Sequence, residues 1–494
     1  MPGDRERILR ELRRRRIAVV GLGVSNQALL RFLLARGARS VAAGDAKRPE
    51  ELGPAADWLR TLPVRTSLGP GYLEVLEDAE WVFLTPGIRK DLPEIAQARR
   101  RGAWVTSETG LLLELCRART VGITASAGKT TTTTLVGDML ARSGLRVYVG
   151  GNIGTPLVEK ALDFEPDETV VLELSSFQLQ LVDRSPNVGA VLNVSPNHLD
   201  VHRDYAEYVQ AKKGVYRYQG PGDWAVFGQD NAETSAMARE RAASGTGGLA
   251  LFGRREPPAF LEGAPVEAAG WVEGESLLVR LPGRREPARL CRTGEVRLRG
   301  EHNLQNILAA TLAACLAGGR LDACGQVATT FETIEHRLEP VAEVDGVSFI
   351  NDSIGTAPDR TEVALASFPA PIHIILGGYD KKIPFDSLGD SVVGSGKVRR
   401  VVLMGQTAAK IRRAIEEAGS RAGAPDRVPQ MVEADGMEEA VRLAYEGAPP
   451  GTIVLLSPAC ASFDMYRNYE ERGRAFKETV RRLVRRAADP GDLP

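Results

Sequence analysis

Thr120-Val121-Gly122-Ile123-Thr124-Ala125-Ser126-Ala127-Gly128-Lys129-Thr130-Thr131 is the stretch whose reading decides the fold. Its apolar, β-branched first half predicts a strand from Thr120 to Thr124. Its second half predicts a glycine turn entering a threonine-rich helix. Backbone N–H groups at a helix start carry partial positive charge and suit phosphate oxygens. A lysine placed there reaches β- and γ-phosphates, and the hydroxyl after it suits Mg²⁺. Gly128, Lys129 and Thr130 are therefore candidates for holding ATP. The strict phosphate-loop pattern wants glycine at position 123, where this chain carries Ile123. On the motif alone, the competing reading is a plain glycine turn.

Upstream, Ile17 to Val20 reads as a strand, Gly21-Leu22-Gly23 as a tight turn, and Asn26 to Arg36 as a helix. A second strand around Val41 ends at Asp45, and Trp81 to Leu84 runs into Thr85-Pro86-Gly87. Alternating strands and helices predict a parallel, doubly wound sheet that closes near Ser107. A dinucleotide fingerprint wants a third glycine at position 26, and the chain has Asn26. A nucleotide is compatible with the turn and with the Asp45 carboxylate; a redox cofactor is not required. Downstream, strands are expected at Thr169 to Leu174 and Val188 to Val194, short strands and loops over Gly245 to Pro287, and a helix over Asn303 to Ala317. Further strands at Ser348 to Asn351, Ile372 to Leu376, Val401 to Leu403 and Thr452 to Leu456 predict another doubly wound sheet. The fold class is α/β in three domains: a Rossmann-like domain over 1–107, a P-loop ATPase-like domain over 108–335 and a second Rossmann-like domain over 336–494.

Composition bounds the function. A chain of 494 residues is too long for one core. Its net charge of -1 supplies no global field toward nucleic acid or anionic lipid. Five cysteines lie far apart without a C-x-x-C pair, which speaks against a disulfide framework or structural zinc and fits a reducing compartment. The basic start (Arg5, Arg7, Arg10, Arg13 to Arg16) precedes a strand broken by glycines rather than a secretory apolar segment. No apolar run approaches the roughly 20 residues needed to cross a bilayer. A cytoplasmic protein with no membrane insertion is expected. There are 11 lysines against 52 arginines. That scarcity points a lysine inside a motif toward chemistry arginine cannot do.

Glu173 sits near the carboxyl end of an apolar strand, where sites in such sheets gather. His198 and Lys212 follow. An ammonium repels Mg²⁺, so a lysine joins such a site only once made anionic, for example by carbamylation with CO₂. Singly, His198 reads as a loop histidine and Lys212 as a solvated helix residue; only the combination lifts them. Loops beginning at Asn351, Gly377 and Ser457 each follow a predicted strand and would converge on one crevice. Ordinary turn chemistry is the competing reading.

Taken together, GLGVSN (21–26), TPGI (85–88), GKTTTT (128–133), GGNIGTP (150–156), LELSSFQL (172–179), NHLD (197–200), AKK (211–213), GEHNLQN (300–306), HRLE (336–339), NDS (351–353), GGYDKK (377–382) and SPACASFD (457–464) resemble the Mur ligases. LELSSFQL and SPACASFD point to the D-glutamate-adding branch. The resemblance implies an ATP-dependent ligase of peptidoglycan precursor synthesis. It would join D-glutamate to UDP-N-acetylmuramoyl-L-alanine through an acyl phosphate, as a monomer with two Mg²⁺ ions. Carried over by position, the first domain would bind the uridine nucleotide through Val24, Ser25, Asp45, Thr85, Pro86 and Gly87. Gly128, Lys129, Thr130, Thr131, Asn303, Asn306, Arg337 and Asp352 would bind ATP. Asn152 and His198 would face the sugar-peptide substrate. Thr130 and Glu173 would serve one Mg²⁺, and His198 with carbamylated Lys212 the second; Lys129, His198 and Lys212 are the implied catalytic set. Thr356, Lys381, Ser462, Phe463 and Tyr469 would hold D-glutamate in an amino-acid-binding third domain, with a hinge near 334–338.

Three departures stand against the family pattern. Ala125 and Ala127 replace a glycine and a polar residue in the phosphate loop, and an alanine forced to positive φ would be strained. Ile354 stands where some members carry lysine, and the acidic residue of GGYDKK comes one place late. A sister ligase or a non-catalytic nucleotide-binding paralogue are the alternatives within the family. A nicotinamide oxidoreductase is the alternative outside it.

Overall fold

The computed structural model describes residues 5–196, 201–298, 300–331, 335–380 and 383–488. Three sheets carry the architecture. The first holds β1 (Arg16–Val20), β2 (Ser40–Asp45), β3 (Arg65–Leu68), β4 (Trp81–Leu84) and β5 (Trp104–Thr106). Their order is β3-β2-β1-β4-β5, with every pairing parallel. Ile17, Ala18, Val19 and Val20 are all buried, as a strand covered by helices on both faces requires. Strand order reverses between β1 and β4, which opens a crevice beyond their carboxyl ends.

The second sheet contains β6 (Arg119–Thr124), β7 (Val147–Gly151), β8 (Thr169–Glu173), β9 (Val188–Val191), β10 (Trp224–Gly228) and β11 (Gly248–Gly253). After a small hairpin, β12 (Phe260–Leu261) with β13 (Ala264–Pro265), it gains β14 (Ala268–Glu273), β15 (Ser276–Arg280) and β16 (Ala288–Arg292). The order is β16-β15-β14-β11-β10-β9-β6-β8-β7. The stretch expected as short strands and loops thus supplies an edge of the same sheet, antiparallel from β14 to β16. The reversal of order here lies at β6, which pairs with β8 on one side and β9 on the other.

The third sheet holds β17 (Glu339–Val344), β18 (Val347–Asn351), β19 (Ile372–Gly377), β20 (Val398–Met404), β21 (Gln430–Glu433) and β22 (Ile453–Leu456), ordered β17-β18-β22-β19-β20-β21. Only the β17–β18 pair is antiparallel. Side chains on its two faces form two apolar clusters, one around Ile374 and Leu455, the other around Val454 and Phe476.

The chain separates into two compact units, 1–332 and 333–494, so the first two sheets share one unit. Within it, the Trp104 indole N–H donates to Asp183 at 2.7 Å, the Thr106 hydroxyl donates to the Leu181 carbonyl at 2.9 Å, and Arg31 pairs with Glu159 at 2.9 Å. The connecting helix Glu108–Leu115 is buried along its whole length and capped by the Ser107 hydroxyl. Among the described residues no helix is long and apolar enough to cross a membrane.

Candidate active site

The strand, glycine turn and helix expected to hold phosphate form where the sequence places them. β6 ends at Thr124, and the helix Lys129–Arg142 starts directly after Gly128. Gly128 takes φ 88°, a left-handed turn that an L side chain resists. Ala125 and Ala127 are not among the residues with positive φ, so the strain expected of an alanine in this loop does not arise. The whole reversal falls on the one remaining glycine. A Cβ on Gly128 would also meet the Asn306 Oδ1 at 2.6 Å. Asn306 in turn donates to the Asn303 Oδ1 at 3.0 Å, so both asparagines of the helix Glu301–Leu316 stand at the phosphate loop.

Lys129 donates to the carbonyls of Ala125 at 2.9 Å and Ser126 at 3.3 Å. Lys212 also donates to Ala125, at 2.9 Å, and its ammonium lies 4.5 Å from the Tyr208 ring centroid. Lys212 is 1% exposed. Burial, helped by the neighbouring Lys129 charge, pushes its amine down to about 7. The solvated helix lysine that a lone reading would assume is thus a buried amine, half neutral near pH 7.

Glu173 ends β8 beside the loop's strand and is 2% exposed. Its Oε1 accepts from the Asn152 side chain at 2.9 Å, while its Oε2 is buried without a hydrogen-bond partner. Gly151 brings the β7 end close: a Cβ there would sit 2.3 Å from the Glu173 carbonyl. Asn152, expected to face substrate, is thereby joined to the expected metal ligand. A buried carboxylate oxygen lacking a donor suits a cation, because its desolvation is otherwise uncompensated. Among the described residues no three His, Cys, Asp or Glu side chains gather as a metal cluster. His198 lies outside the described residues.

In the first sheet the Asp45 Oδ2 accepts from the Leu22 N–H at 2.6 Å, and the Thr85 N–H donates to the Val20 carbonyl at 2.8 Å. The two loops expected to hold the nucleotide therefore meet at the crevice. Pro86 and Gly87 follow in the same loop, and Val24 and Ser25 open the helix Val24–Ala35, with Val24 70% exposed. Asn26 explains the missing third glycine. Its buried amide donates to the Val20 and Gly21 carbonyls at 3.1 and 2.7 Å and braces the turn.

In the 333–494 unit the loops after β18, β19 and β22 converge. The Ser457 hydroxyl donates to Asp352 at 2.7 Å, the Gly377 N–H to the Pro458 carbonyl at 2.9 Å, and the Tyr379 N–H to the Ala461 carbonyl at 2.9 Å. Burial lifts the Asp352 carboxyl to about 6 despite that hydrogen bond and the nearby Arg337. Ser462 is buried, whereas Phe463 is 64% exposed and meets Tyr379 edge-on. The Tyr469 carbonyl accepts from the Ser353 hydroxyl at 2.7 Å, and Thr356 follows Ile354 in the same turn. Lys381 lies outside the described residues.

Sequence reasoning missed Arg472, which ties this cluster together. Its guanidinium is 1% exposed and donates to Ser353 Oγ (3.0 Å), the Ser353 carbonyl (2.8 Å) and the carbonyls of Cys460 (3.0 Å) and Ala461 (3.3 Å). Nothing in its local sequence, in the first turn of the charged helix Tyr469–Ala488, distinguishes it from the other arginines nearby. His202 was missed too. It stacks on Phe177 with centroids 4.8 Å apart and shares a hydrogen bond with the Ser176 hydroxyl at 2.9 Å.

Comparison with known proteins gives three matched stretches. The Mur ligase MurD-like N-terminal domain pattern matches residues 15–107, the Mur ligase middle domain 123–314, and the Mur ligase glutamate ligase domain 336–460. A relative from Symbiobacterium thermophilum, named UDP-N-acetylmuramoylalanine–D-glutamate ligase, is 50% identical over 95% of this chain and 98% of its own. A protein of the same name from Acetivibrio thermocellus is 42% identical over 95% and 97%. Among solved structures, MurF from Acinetobacter baumannii shares the fold with a TM-score of 0.53 at 16% identity, covering 97% of this chain and 99% of its own. The loops around Gly128 and Glu173 in one unit, and around Asp352 in the other, thus lie within domains of a known family, and the chain belongs to the Mur ligases.

Proposed function

We propose that this chain uses ATP to join the amine of D-glutamate to the carboxylate of UDP-N-acetylmuramoyl-L-alanine, in the cytoplasmic assembly of peptidoglycan precursors. The observation that carries this reading is the 50% identity to a relative bearing that name, over 95% of this chain and 98% of the relative. The site's chemistry agrees. A carboxylate is a poor electrophile, because its charge repels nucleophiles and oxide does not leave. Transfer of the γ-phosphoryl group from ATP to the acceptor carboxylate forms an acyl phosphate and ADP. The amine then attacks the acyl carbon, and the tetrahedral intermediate expels phosphate as the amide forms.

The chain's own contribution is position and charge. Gly128, Lys129, Thr130 and Thr131 seat the phosphates at the helix start, and Asn303 and Asn306 stand where adenine would approach. Arg337 and Asp352 complete the ATP set in this reading. Val24, Ser25, Asp45 and Thr85 to Gly87 take the uridine nucleotide, Asn152 with His198 the sugar-peptide end, and Thr356, Lys381, Ser462, Phe463 and Tyr469 the D-glutamate. Thr130, Glu173, His198 and carbamylated Lys212 are the residues that would hold two Mg²⁺. The ions supply positive charge against the phosphate oxygens. The lone buried Oε2 of Glu173 fits such an ion. The low proton affinity of Lys212 fits reaction with CO₂, since only a neutral amine is nucleophilic.

The test is phosphate release from ATP in the presence of UDP-N-acetylmuramoyl-L-alanine and a panel of amino acids. D-glutamate is expected to stimulate release, and a preference for another amino acid would assign the chain to a sister activity. Lys129→Ala is expected to abolish release; turnover at the wild-type rate would remove Lys129 from the phosphoryl transfer.

A further inference from the structure

We propose that Asn193 is the positioning residue of the phosphate loop. This chain has Ala125 and Ala127 where the family pattern carries a glycine and a polar residue. Support for the phosphate loop comes from the loop after β9, in which Asn193 lies two residues beyond the strand end. The Asn193 Oδ1 accepts from the Ala127 N–H at 3.0 Å, and its Nδ2 donates to the Ala127 carbonyl at 2.9 Å. One side-chain amide thus takes both polar groups of a single backbone residue. The Asn193 carbonyl accepts from the Ser126 N–H at 3.0 Å as well. Ser126 locks the other side: its hydroxyl donates to the Ser195 carbonyl at 3.0 Å and accepts from the Ser195 N–H at 2.9 Å. The Tyr208 hydroxyl lies 2.8 Å away and completes its bonding capacity.

Two consequences follow from these bonds. With Ala127 held, the reversal of chain direction is confined to Gly128, so the helix start at Lys129 is aimed by Asn193 rather than by loop glycines. The Ala127 N–H, being occupied, is not offered to an anion, which leaves that work to the N–H groups from Gly128 onward. Asn193 touches neither the phosphates nor the reacting carboxylate in this account; it acts through Ala127. The inference rests on the ATP-dependent reading above, and calorimetry with magnesium-ATP on the wild-type protein checks that reading first.

The experiment compares wild type, Asn193→Ala and Asn193→Asp. Removing both side-chain bonds in Asn193→Ala is expected to raise the KM for ATP at least about tenfold, with kcat within about threefold and the KM for the amino acid unchanged. Asn193→Asp has the same shape and can still accept from Ala127. It cannot donate to the Ala127 carbonyl, and it adds negative charge near the triphosphate, so an equal or larger rise is expected. Hydrogen exchange at Ala127, slow in wild type, is expected to be fast in Asn193→Ala. If wild type fails to bind magnesium-ATP, the functional reading falls. If wild type binds and either folded variant keeps the wild-type KM for ATP, this inference falls alone. A parallel rise in every KM would also overturn it, by marking Asn193 as a general fold residue.

Discussion

At the scale of single residues, burial decides which groups can react. The Lys212 amine, pushed down to about 7, is increasingly neutral as pH rises through that value and increasingly protonated below it. A carbamate forms only on the neutral amine, so activity is expected to fall on the acid side of about pH 7 and to be partly restored there by added bicarbonate. A pH–rate profile at two CO₂ levels measures this. Lys212→Ala is expected to lose activity and regain part of it with short carboxylic acids such as formate; full unaided activity would refute the carbamate. Asp352 shows the opposite sign. Its folded carboxyl, near 6, holds a proton more tightly than an unfolded aspartate near 3.8. This group therefore favours the folded state at low pH and loses that advantage as pH climbs from about 4 through 6. Asp352→Asn removes the buried charge while Asn still accepts from the Leu338 N–H. It is expected to stabilise the 333–494 unit by roughly 1–3 kcal/mol at pH 8 and by almost nothing at pH 4, while ATP-dependent turnover is lost. Thermal melts at the two pH values check it.

At the scale of elements, each part of the site is a strand end followed by a turn whose geometry admits little change. Gly128 is the sharpest case. Gly128→Ala would place a Cβ at φ 88° and 2.6 Å from the Asn306 Oδ1. The side-chain amide can swing aside, but the backbone strain of roughly 1–2 kcal/mol stays. Magnesium-ATP affinity by calorimetry is expected to drop at least about tenfold, with only a modest fall in melting temperature. The strand pairings explain why distant segments share this site. β6 lies between β8 and β9, so the loop at 125–128, Glu173 and Asn193 emerge side by side although nearly 70 residues separate the first from the last. In the third sheet, β22 lies between β18 and β19 and sets the loop of Ser457 against those of Asp352 and Gly377.

At the scale of the whole molecule, two units with separate apolar clusters predict two unfolding events rather than one. Calorimetry is expected to show a van't Hoff enthalpy below the calorimetric one. The Asp352→Asn gain is expected to shift only the transition of the 333–494 unit. A single two-state transition in which both move together would show that the units unfold as one. The first two sheets, by contrast, share one unit through the buried helix Glu108–Leu115 and polar ties such as Trp104 to Asp183. They are expected to melt together.

What the sequence by itself determined is local. A strand, a glycine and a lysine at a helix start lie within a dozen residues, and the physics that binds phosphate there is the physics of that one helix terminus. The crevices of the doubly wound sheets were legible for the same reason, because each is made of a strand and the turn that follows it. Three things needed the tertiary structure. Long-range register set β9 beside β6 and thereby put Asn193 on Ala127. Burial turned Lys212 from an ordinary lysine into a half-neutral amine and left one oxygen of Glu173 without a donor. The packing of the last helix against the loops after β18 and β22 made Arg472 a tie among backbone carbonyls, although the nearby Arg467 and Arg474 are exposed. Register, desolvation and helix docking all depend on residues far along the chain, and no short stretch of sequence contains them.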